Sequence, residues 1–246
     1  MPHCMGTLVW QHNDCWPVAS WAGRDYYGRW KAQQYFSKAA YDDILVSPVV
    51  INDTLSVNIV TDRRTPAKGV FTLTAMTLDG TPVMTEKFPF TARPLTSTKV
   101  FADKVGNLLK DHSRGDIIFH TTFTTGDRTY ENVGFPTKQK HMNYKAPEYT
   151  VSVSPADDGY DVTVGTDTFA RGVFLSLEGI DNFFSDNYFN VMPGATRQIH
   201  VTTPLAEADF RNQLKVISMG DVHSRTEASE SGAMRRDANF KPLGGN

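Results

Sequence analysis

The chain has 246 residues, which is enough for two sandwich-sized domains with an additional segment, or for one large barrel. Hydrophobic residues make up 40% and charged residues 21%, and this balance excludes an intrinsically disordered chain. Lys and Arg total 25 against 27 Asp and Glu, so the net charge is -2 and we expect no nucleic-acid or anionic-membrane partner. No apolar run is long enough to span a bilayer.

The first stretch that carries a clear pattern combines an apolar run with a cluster of aromatic and polar residues. Small and apolar residues at positions 5 to 9 predict a buried strand, and Trp10 to Trp16 follow it. Pro17 then removes a backbone donor, so the strand cannot continue as a central one. A parallel strand needs neighbours in its sheet, so we expect the chain to begin near the end of a larger fold.

An aromatic-faced helix is predicted next. Asp25 is suited to the N-cap or the first turn. Aromatic side chains then recur at helical spacing, namely Tyr26, Tyr27, Trp30, Tyr35 and Phe36. Strand, loop and helix together make one βα unit over residues 1 to 43.

The remainder of the chain predicts two antiparallel β-sandwiches. Short alternating runs separated by turns such as Asn52-Asp53 and Asp79-Gly80 fill residues 44 to 140. A polar, basic segment at residues 138 to 147 reads as a linker, and a second, smaller series of strands fills residues 147 to 223. Residues 224 to 246 are charged and rich in Ser and Gly, so we expect a disordered tail outside any core.

The two cysteines and the short motifs predict neither a metal nor a cofactor. If residues 4 to 15 are fully extended, the α-carbons of Cys4 and Cys15 lie roughly 35 Å apart, whereas a disulfide needs about 4.4–6.8 Å. We therefore expect two buried free thiols. The spacing of His3, Cys4, His12 and Cys15 fits no common zinc site, and the sequence has no phosphate-binding or dinucleotide-binding loop.

Three segments, in order, resemble the β-mannosidases of glycoside hydrolase family 2. The first resembles the end of the catalytic barrel in that family, and it reads Cys4-Met5-Gly6-Thr7-Leu8-Val9-Trp10-Gln11-His12-Asn13-Asp14-Cys15-Trp16-Pro17-Val18-Ala19-Ser20-Trp21. The second resembles the following helix and reads Asp25-Tyr26-Tyr27-Gly28-Arg29-Trp30-Lys31-Ala32. The third resembles part of the last immunoglobulin-like domain and reads Phe184-Ser185-Asp186-Asn187-Tyr188-Phe189, followed by Met192-Pro193-Gly194. The resemblance implies a mainly β fold, with two immunoglobulin-like antiparallel β-sandwiches preceded by a βα remnant of a (β/α)8 barrel.

The resemblance also implies an activity for the parent protein. The family consists of retaining exo-glycosidases that remove terminal β-D-mannose from oligosaccharides or glycans, using two glutamates on earlier barrel strands. Both glutamates would lie upstream of this sequence, so we expect no catalytic residue here and no activity of this chain alone. The implied partners are a mannose-containing oligosaccharide and the N-terminal barrel of the parent protein. The compartment stays open among periplasmic, secreted and lysosomal locations.

Four residues are candidates for contact with the sugar. In the resembling family an aromatic at the end of the last barrel strand forms one wall of the sugar site, and Trp10 takes that place. A core position for this indole is the alternative. Asn13 is suited either to a sugar hydroxyl or to a turn. Asp14 and Trp16 are further candidates, with backbone hydrogen bonding and loop packing as their other roles.

Two other functions stay open at this stage. The aromatics at residues 183 to 189 are typical of a carbohydrate-binding face as well as of a domain interface, so a non-catalytic carbohydrate-binding or adhesion module is one alternative. A family 2 relative acting on other β-glycosides is the other alternative, because substrate choice depends on barrel loops outside this sequence.

Overall fold

Residues 6–177 and 182–222 are described by a computed structural model of the chain. Fourteen strands and three short α-helices are formed within these ranges, and residues 219–222 are also helical. Within these ranges, none of the helices has the length and apolar character needed to cross a membrane. The tail expected at residues 224 to 246 lies outside the described residues, as does Cys4.

Two facing antiparallel sheets form the first sandwich. One sheet has the order β1-β2-β5, with β1 Ile44–Ile51, β2 Thr54–Thr61 and β5 Thr96–Lys104. The other has the order β4-β3-β6-β7, with β3 Ala67–Thr77, β4 Pro82–Ala92, β6 Ile117–Thr125 and β7 Arg128–Gly134. Alternate residues of β2 are buried, as period-two patterning requires, and they pack against Phe71, Phe119 and Phe123.

The turn between β1 and β2 follows from local chemistry. Ile51 pairs with Thr54, so Asn52 and Asp53 are the two residues of a tight hairpin. Their φ angles are 48° and 59°, both in the left-handed region that such turns require and that Asn and Asp tolerate. A short helix, α2 at Val105–Leu109, then follows β5 and buries Val105, Leu108 and Leu109.

The second sandwich repeats this design with shorter strands. One sheet has the order β11-β13-β9-β8, with β8 Tyr149–Ala156, β9 Gly159–Thr166, β11 Phe183–Phe184 and β13 Thr196–Thr202. The other has the order β12-β10-β14, with β10 Ala170–Ser176, β12 Phe189–Val191 and β14 Lys215–Ile217. The helix α3 at Glu207–Gln213 contributes Phe210, whose ring stacks on Tyr160 at 4.3 Å between centroids. The predicted mainly β fold with two antiparallel sandwiches is thereby confirmed.

A third apolar cluster joins the two sandwiches. Met142 and Tyr144, in the segment predicted to be a linker, are buried against Ile118 of β6 and Phe169. The carbonyl of Leu78 accepts hydrogen bonds from the Phe169 amide at 2.7 Å and from the Thr168 hydroxyl at 2.7 Å. The segment is therefore packed between the sandwiches, although its polar composition is typical of an exposed connection.

The N-terminal part differs from the prediction in two details. Residues 6 to 9 are irregular and exposed instead of forming a strand. Among the described residues no strand lies beside them, and an isolated strand leaves its backbone groups without partners. The helix α1 spans Ala32–Ala40, so it begins seven residues after Asp25. Tyr26 and Tyr27 belong to a turn before the helix, and Trp30 forms an isolated antiparallel bridge with Arg24.

Candidate functional site

The candidate site lies on the segment from residue 10 to residue 24, here called the Trp loop. Two extended stretches of this loop run side by side and form a parallel bridge between Asn13 and Arg24. The amide of Asp14 donates to the Arg24 carbonyl at 3.1 Å, and the Arg24 amide donates to the His12 carbonyl at 3.0 Å. The Gly23 amide donates to the carbonyl of residue 11 at 3.1 Å. The loop is therefore a defined structure, although it contains no regular strand.

Asp14 is the polar centre of the Trp loop. Its side chain is only 1% exposed, and one carboxylate oxygen accepts from the Lys31 ammonium at 2.7 Å. The other accepts from the Ser20 hydroxyl at 2.5 Å. The hydrogen bonds from Lys31 and then from Ser20 lower the pKa of Asp14, so the group is a carboxylate at neutral pH. This arrangement makes Asp14 an anchor that holds the loop to the residue before α1.

Three indole side chains of the Trp loop face solvent. Trp10 is 78% exposed, Trp16 is 67% exposed and Trp21 is 69% exposed. Large aromatics gain stability by burial, so these rings contribute little to the fold of the described residues. They offer apolar faces for contact with a molecule outside them.

The other predicted residues of the loop also lie at its surface. Asn13 is exposed, and its amide nitrogen donates to the Asp14 carbonyl at 3.1 Å. Cys15 is a free, exposed cysteine, which corrects the expectation of a buried thiol. The reason is that residues 15 to 19 form an exposed stretch of the Trp loop and not the end of a buried strand. Trp10, Asn13 and Trp16 thus share one short exposed segment, and Asp14 lies buried beneath it.

The second carboxylate of this region is also held by a cation. Asp25 accepts from the Arg29 side chain at 2.6 Å and from the Arg29 amide at 2.9 Å. Burial raises the pKa of Asp25, but the hydrogen bonds from Arg29 outweigh it and the pKa is lowered. A general acid at neutral pH needs a raised pKa. Neither Asp14 nor Asp25 is therefore suited to donate a proton to a leaving group.

Lys31 and Ser20 complete the site, and sequence reasoning missed both. Lys31 lies seventeen residues from its partner Asp14, and its amide also donates to the Gly23 carbonyl at 2.9 Å. A single Lys in an aromatic helix-like segment carries no sequence signal for such a contact. The contact between Asp14 and Ser20 was equally hard to predict from the sequence, since a polar residue in a loop is usually solvated.

A cleft lies elsewhere, between the turn before α1 and the second sandwich. It has a volume of about 820 Å³ and is lined by Tyr27, Arg29, Tyr160 and Phe183, among others. None of the four predicted site residues lines it. Among residues 6–177 and 182–222, no group of three or more His, Cys, Asp or Glu side chains is placed to hold a metal ion.

Comparison with known families identifies the two sandwiches. Residues 53–141 match the family described as a mannosidase Ig/CBM-like domain, and residues 144–222 match the Ig-fold domain of mannosidases. The β-mannosidase A proteins of Aspergillus oryzae and Aspergillus niger are each 29% identical to this chain over 80% of its length. The structure of the β-D-mannosidase of Dictyoglomus thermophilum superimposes with a TM-score of 0.75 at 26% identity and covers 88% of the chain.

The two sandwiches are immunoglobulin-like domains of the β-mannosidase type. The resemblance to the C-terminal portion of a family 2 β-mannosidase is confirmed. The chain spans 23% of the length of the two fungal β-mannosidases and 26% of the Dictyoglomus enzyme. An exo-chitosanase of Amycolatopsis orientalis superimposes with a TM-score of 0.59 at 15% identity, which shows a shared fold alone.

Proposed function

We propose that this chain supplies the C-terminal part of a retaining exo-β-mannosidase that hydrolyses terminal β-D-mannose from oligosaccharides or glycans. The likeness to β-mannosidases over 80% or more of the chain supports this assignment. In this proposal residues 1 to 43 belong to the end of the catalytic barrel, and residues 44 to 140 and 147 to 223 are supporting domains. The N-terminal barrel provides both catalytic glutamates.

The Trp loop forms one wall of the sugar site in this proposal. The observation that carries it is the placement of three exposed indoles on a loop fixed by the ion pair between the buried Asp14 and the partly exposed Lys31. The apolar C–H face of a pyranose ring stacks on an indole, and this contact buries apolar area without requiring a hydrogen bond. Trp10 is the primary platform, Asn13 donates to a sugar hydroxyl, and Trp16 extends the surface. Asp14 holds these residues in position.

The chemistry of the loop supports a catalytic pair outside this chain. Retaining hydrolysis requires two carboxyl groups about 5–5.5 Å apart, one of which must be protonated as the acid. Asp14 and Asp25 are each committed to a cation, and both have lowered pKa values. We therefore expect no turnover of an aryl β-mannoside by the chain alone. Turnover that disappears in the Asp14→Asn variant would contradict this expectation.

A hybrid enzyme tests the assignment. The part of the Dictyoglomus β-D-mannosidase that superimposes on this chain is replaced by the chain, and hydrolysis of an aryl β-mannoside is measured. The hybrid should be active, and Trp10→Ala should raise KM about tenfold, which corresponds to about 1.4 kcal/mol. Phe36→Ala is the matched control, because it removes an exposed aromatic ring outside the Trp loop. A folded hybrid without turnover, or equal effects of the two variants, would contradict the proposal.

A carbohydrate-binding module is the second candidate, and one observation favours it. Tyr27 and Phe183 both expose ring surface and both line the cleft of about 820 Å³. Most of the other aromatics at residues 183 to 189 do not support it, since Phe184 and Phe189 are buried in the second core. Calorimetry with manno-oligosaccharides on the full chain tests this candidate. Heat of binding that is lost in Phe183→Ala would support it, and no heat at millimolar ligand would contradict it.

A further inference from the structure

We propose that the second sandwich sets the position of the Trp loop through a set of five interlocking aromatic side chains. This aromatic junction consists of Trp30, Tyr35, Phe174, Phe183 and Tyr188. The consequence for sugar binding rests on the function proposed above, in which the Trp loop forms a wall of the sugar site. The positioning itself is a property of this chain and can be measured without any sugar.

The junction connects α1 and the residue before it to the second sandwich. Trp30 meets Phe183 and Tyr35 edge to face, with centroid distances of 5.2 Å and 5.3 Å. Tyr35 lies 5.9 Å from Tyr188, whose ring stacks on Phe174 at 4.8 Å. Aromatic pairs at these distances contribute stability beyond the area that they bury. The chain of contacts therefore runs without a gap from α1 to strand β10.

Two hydrogen bonds fix the same helix to the same sandwich. The buried Tyr35 hydroxyl donates to the Phe184 carbonyl at 3.2 Å. The Lys38 ammonium donates to the Ser185 carbonyl at 2.8 Å. Both acceptors are backbone groups at the end of β11, so they define where α1 lies along that strand. The helix cannot shift along the sandwich without losing both bonds.

Residues 30 and 31 transmit this position to the Trp loop. The Trp30 backbone forms an antiparallel bridge with Arg24, while its side chain lies in the junction. The next residue, Lys31, donates from its amide to the Gly23 carbonyl and from its ammonium to Asp14. The Trp30 ring thus contacts the second sandwich, while the Trp30 backbone and Lys31 contact the Trp loop. A displacement of the junction must disturb the pairing of residues 23 and 24 with residues 11 to 14.

The sandwich side of the junction is held by a buried amide. Asn187 donates to the Leu175 carbonyl at 2.9 Å, and its oxygen accepts from the amides of Leu175 at 2.9 Å and Tyr188 at 3.0 Å. These bonds hold Tyr188 at a φ of 57°, which is unfavourable for a residue with a large side chain. Such a conformation persists only where the surroundings impose it. It directs the Tyr188 ring between Phe174 and Tyr35.

Variants on the sandwich side separate positioning from general stability. Phe183→Ala removes a ring that is 43% exposed, so the second core stays intact. Tyr188→Asn removes a junction ring but keeps a residue type that tolerates positive φ. Tyr188→Phe is the conservative variant, because it keeps the ring and removes only the hydroxyl. Tyr160→Phe is the matched control, because it deletes a hydroxyl that donates to the Leu205 carbonyl at 2.8 Å within the second sandwich.

The experiment uses the full chain labelled with 5-fluorotryptophan, with amide exchange measured in parallel. In Phe183→Ala and Tyr188→Asn we expect the amides of Asp14, Gly23 and Arg24 to exchange about tenfold faster or more, while those of Val162 and Val164 in β9 stay protected. The fluorine resonances of Trp10, Trp16 and Trp21 should shift or broaden. In Tyr188→Phe and in Tyr160→Phe, both the amide exchange and the fluorine resonances of the Trp loop should stay as in the wild-type chain.

Unchanged exchange and unchanged resonances of the Trp loop in both junction variants would overturn the inference. An equal change of exchange and resonances in Tyr160→Phe would also overturn it. The effect would then come from any destabilisation of the second sandwich and not from the junction. These outcomes are independent of sugar binding. If the junction variants loosen the Trp loop but Trp10→Ala has no effect in the hybrid enzyme, the positioning is correct and the assignment of the sugar wall is wrong.

Discussion

The first sandwich and the Trp loop use aromatic residues in opposite ways. Phe71, Phe119 and Phe123 of the sandwich are fully buried between two sheets, whereas Trp10 and Trp21 of the loop are largely exposed. Burial of an aromatic side chain contributes a few kcal/mol to folding, and exposure contributes almost nothing. The rings of the sandwich therefore stabilise the fold, and the rings of the loop are available for contact with other molecules.

The two regions also differ in what holds them together. Apolar burial and complete strand ladders hold the sandwich. The Trp loop depends on a few backbone hydrogen bonds, on the ion pair between the buried Asp14 and the partly exposed Lys31, and on the docking of Trp30. Loss of core volume should therefore damage the sandwich, while changes of charge or pH should act first on the loop.

The largest expected effect comes from removal of a core ring. Phe119→Ala should lower the free energy of unfolding by about 3–5 kcal/mol, because it removes a fully buried side chain and leaves a cavity. Trp21→Ala, in which a larger ring is lost from an exposed position, should change it by less than about 0.5 kcal/mol. Urea denaturation of both variants measures this difference. Similar losses in the two variants would show that the loop rings are buried in solution.

A buried polar residue of the second sandwich should give the next largest effect. Asn187→Ala leaves the backbone groups of Leu175 without side-chain partners and releases Tyr188 from its positive φ. We expect a loss of about 2–3 kcal/mol in urea denaturation. Asn190→Ala is the control, because within the described residues its side chain accepts a single hydrogen bond, from the Gly172 amide at 3.2 Å, and should matter less. Equal losses would contradict the special role of Asn187.

Loss of the Asp14 charge, by substitution or by low pH, should loosen the Trp loop without unfolding the sandwiches. Asp14→Asn keeps the shape of the side chain and removes the charge that faces Lys31, so the amides of Asp14 and Arg24 should exchange several-fold faster. Because the folded pKa of Asp14 is lowered, its contribution is complete above the unfolded pKa of about 3.9 and is lost as the pH falls below that value.

Between pH 7 and pH 5, the protection of the Trp-loop amides in the wild-type chain should therefore stay constant once the intrinsic pH dependence of exchange is corrected for. Tryptophan spectra should report loosening of the loop below about pH 4. The Asp14→Asn variant should lack this acid transition. A transition of the same size in that variant would assign it to another group.

The smallest effect should come from a histidine at the surface of the second sandwich. His200 lies 2.9 Å from an Asp161 oxygen and 2.7 Å from an Asp158 oxygen, and these hydrogen bonds, that to Asp161 first, raise its pKa. A raised pKa means that its contribution is complete below the unfolded value of about 6.5 and is lost as the pH rises through the folded pKa. The urea midpoint should thus fall slightly from pH 6 to pH 9, and His200→Gln should remove most of that fall.

Alternation of apolar and polar residues was sufficient to predict the two sandwiches. The strand period of two is a local property, so β2, with every second residue buried, can be read from the sequence. The hairpin at Asn52 and Asp53 was equally predictable, because the two residues themselves tolerate the left-handed conformation that the turn requires. The four residues predicted to contact a sugar stay a prediction.

The features that the sequence did not predict depend on contacts between segments that are distant along the chain. No local pattern distinguishes Lys31 as the partner of Asp14, or Tyr188 as the residue that meets Tyr35. Residues 6 to 9 illustrate the limit most clearly, since their apolar sequence predicts a strand but no strand among the described residues pairs with them. A strand, a buried charge and a domain contact each need a partner from elsewhere in the fold, and the partner's position is set by tertiary packing.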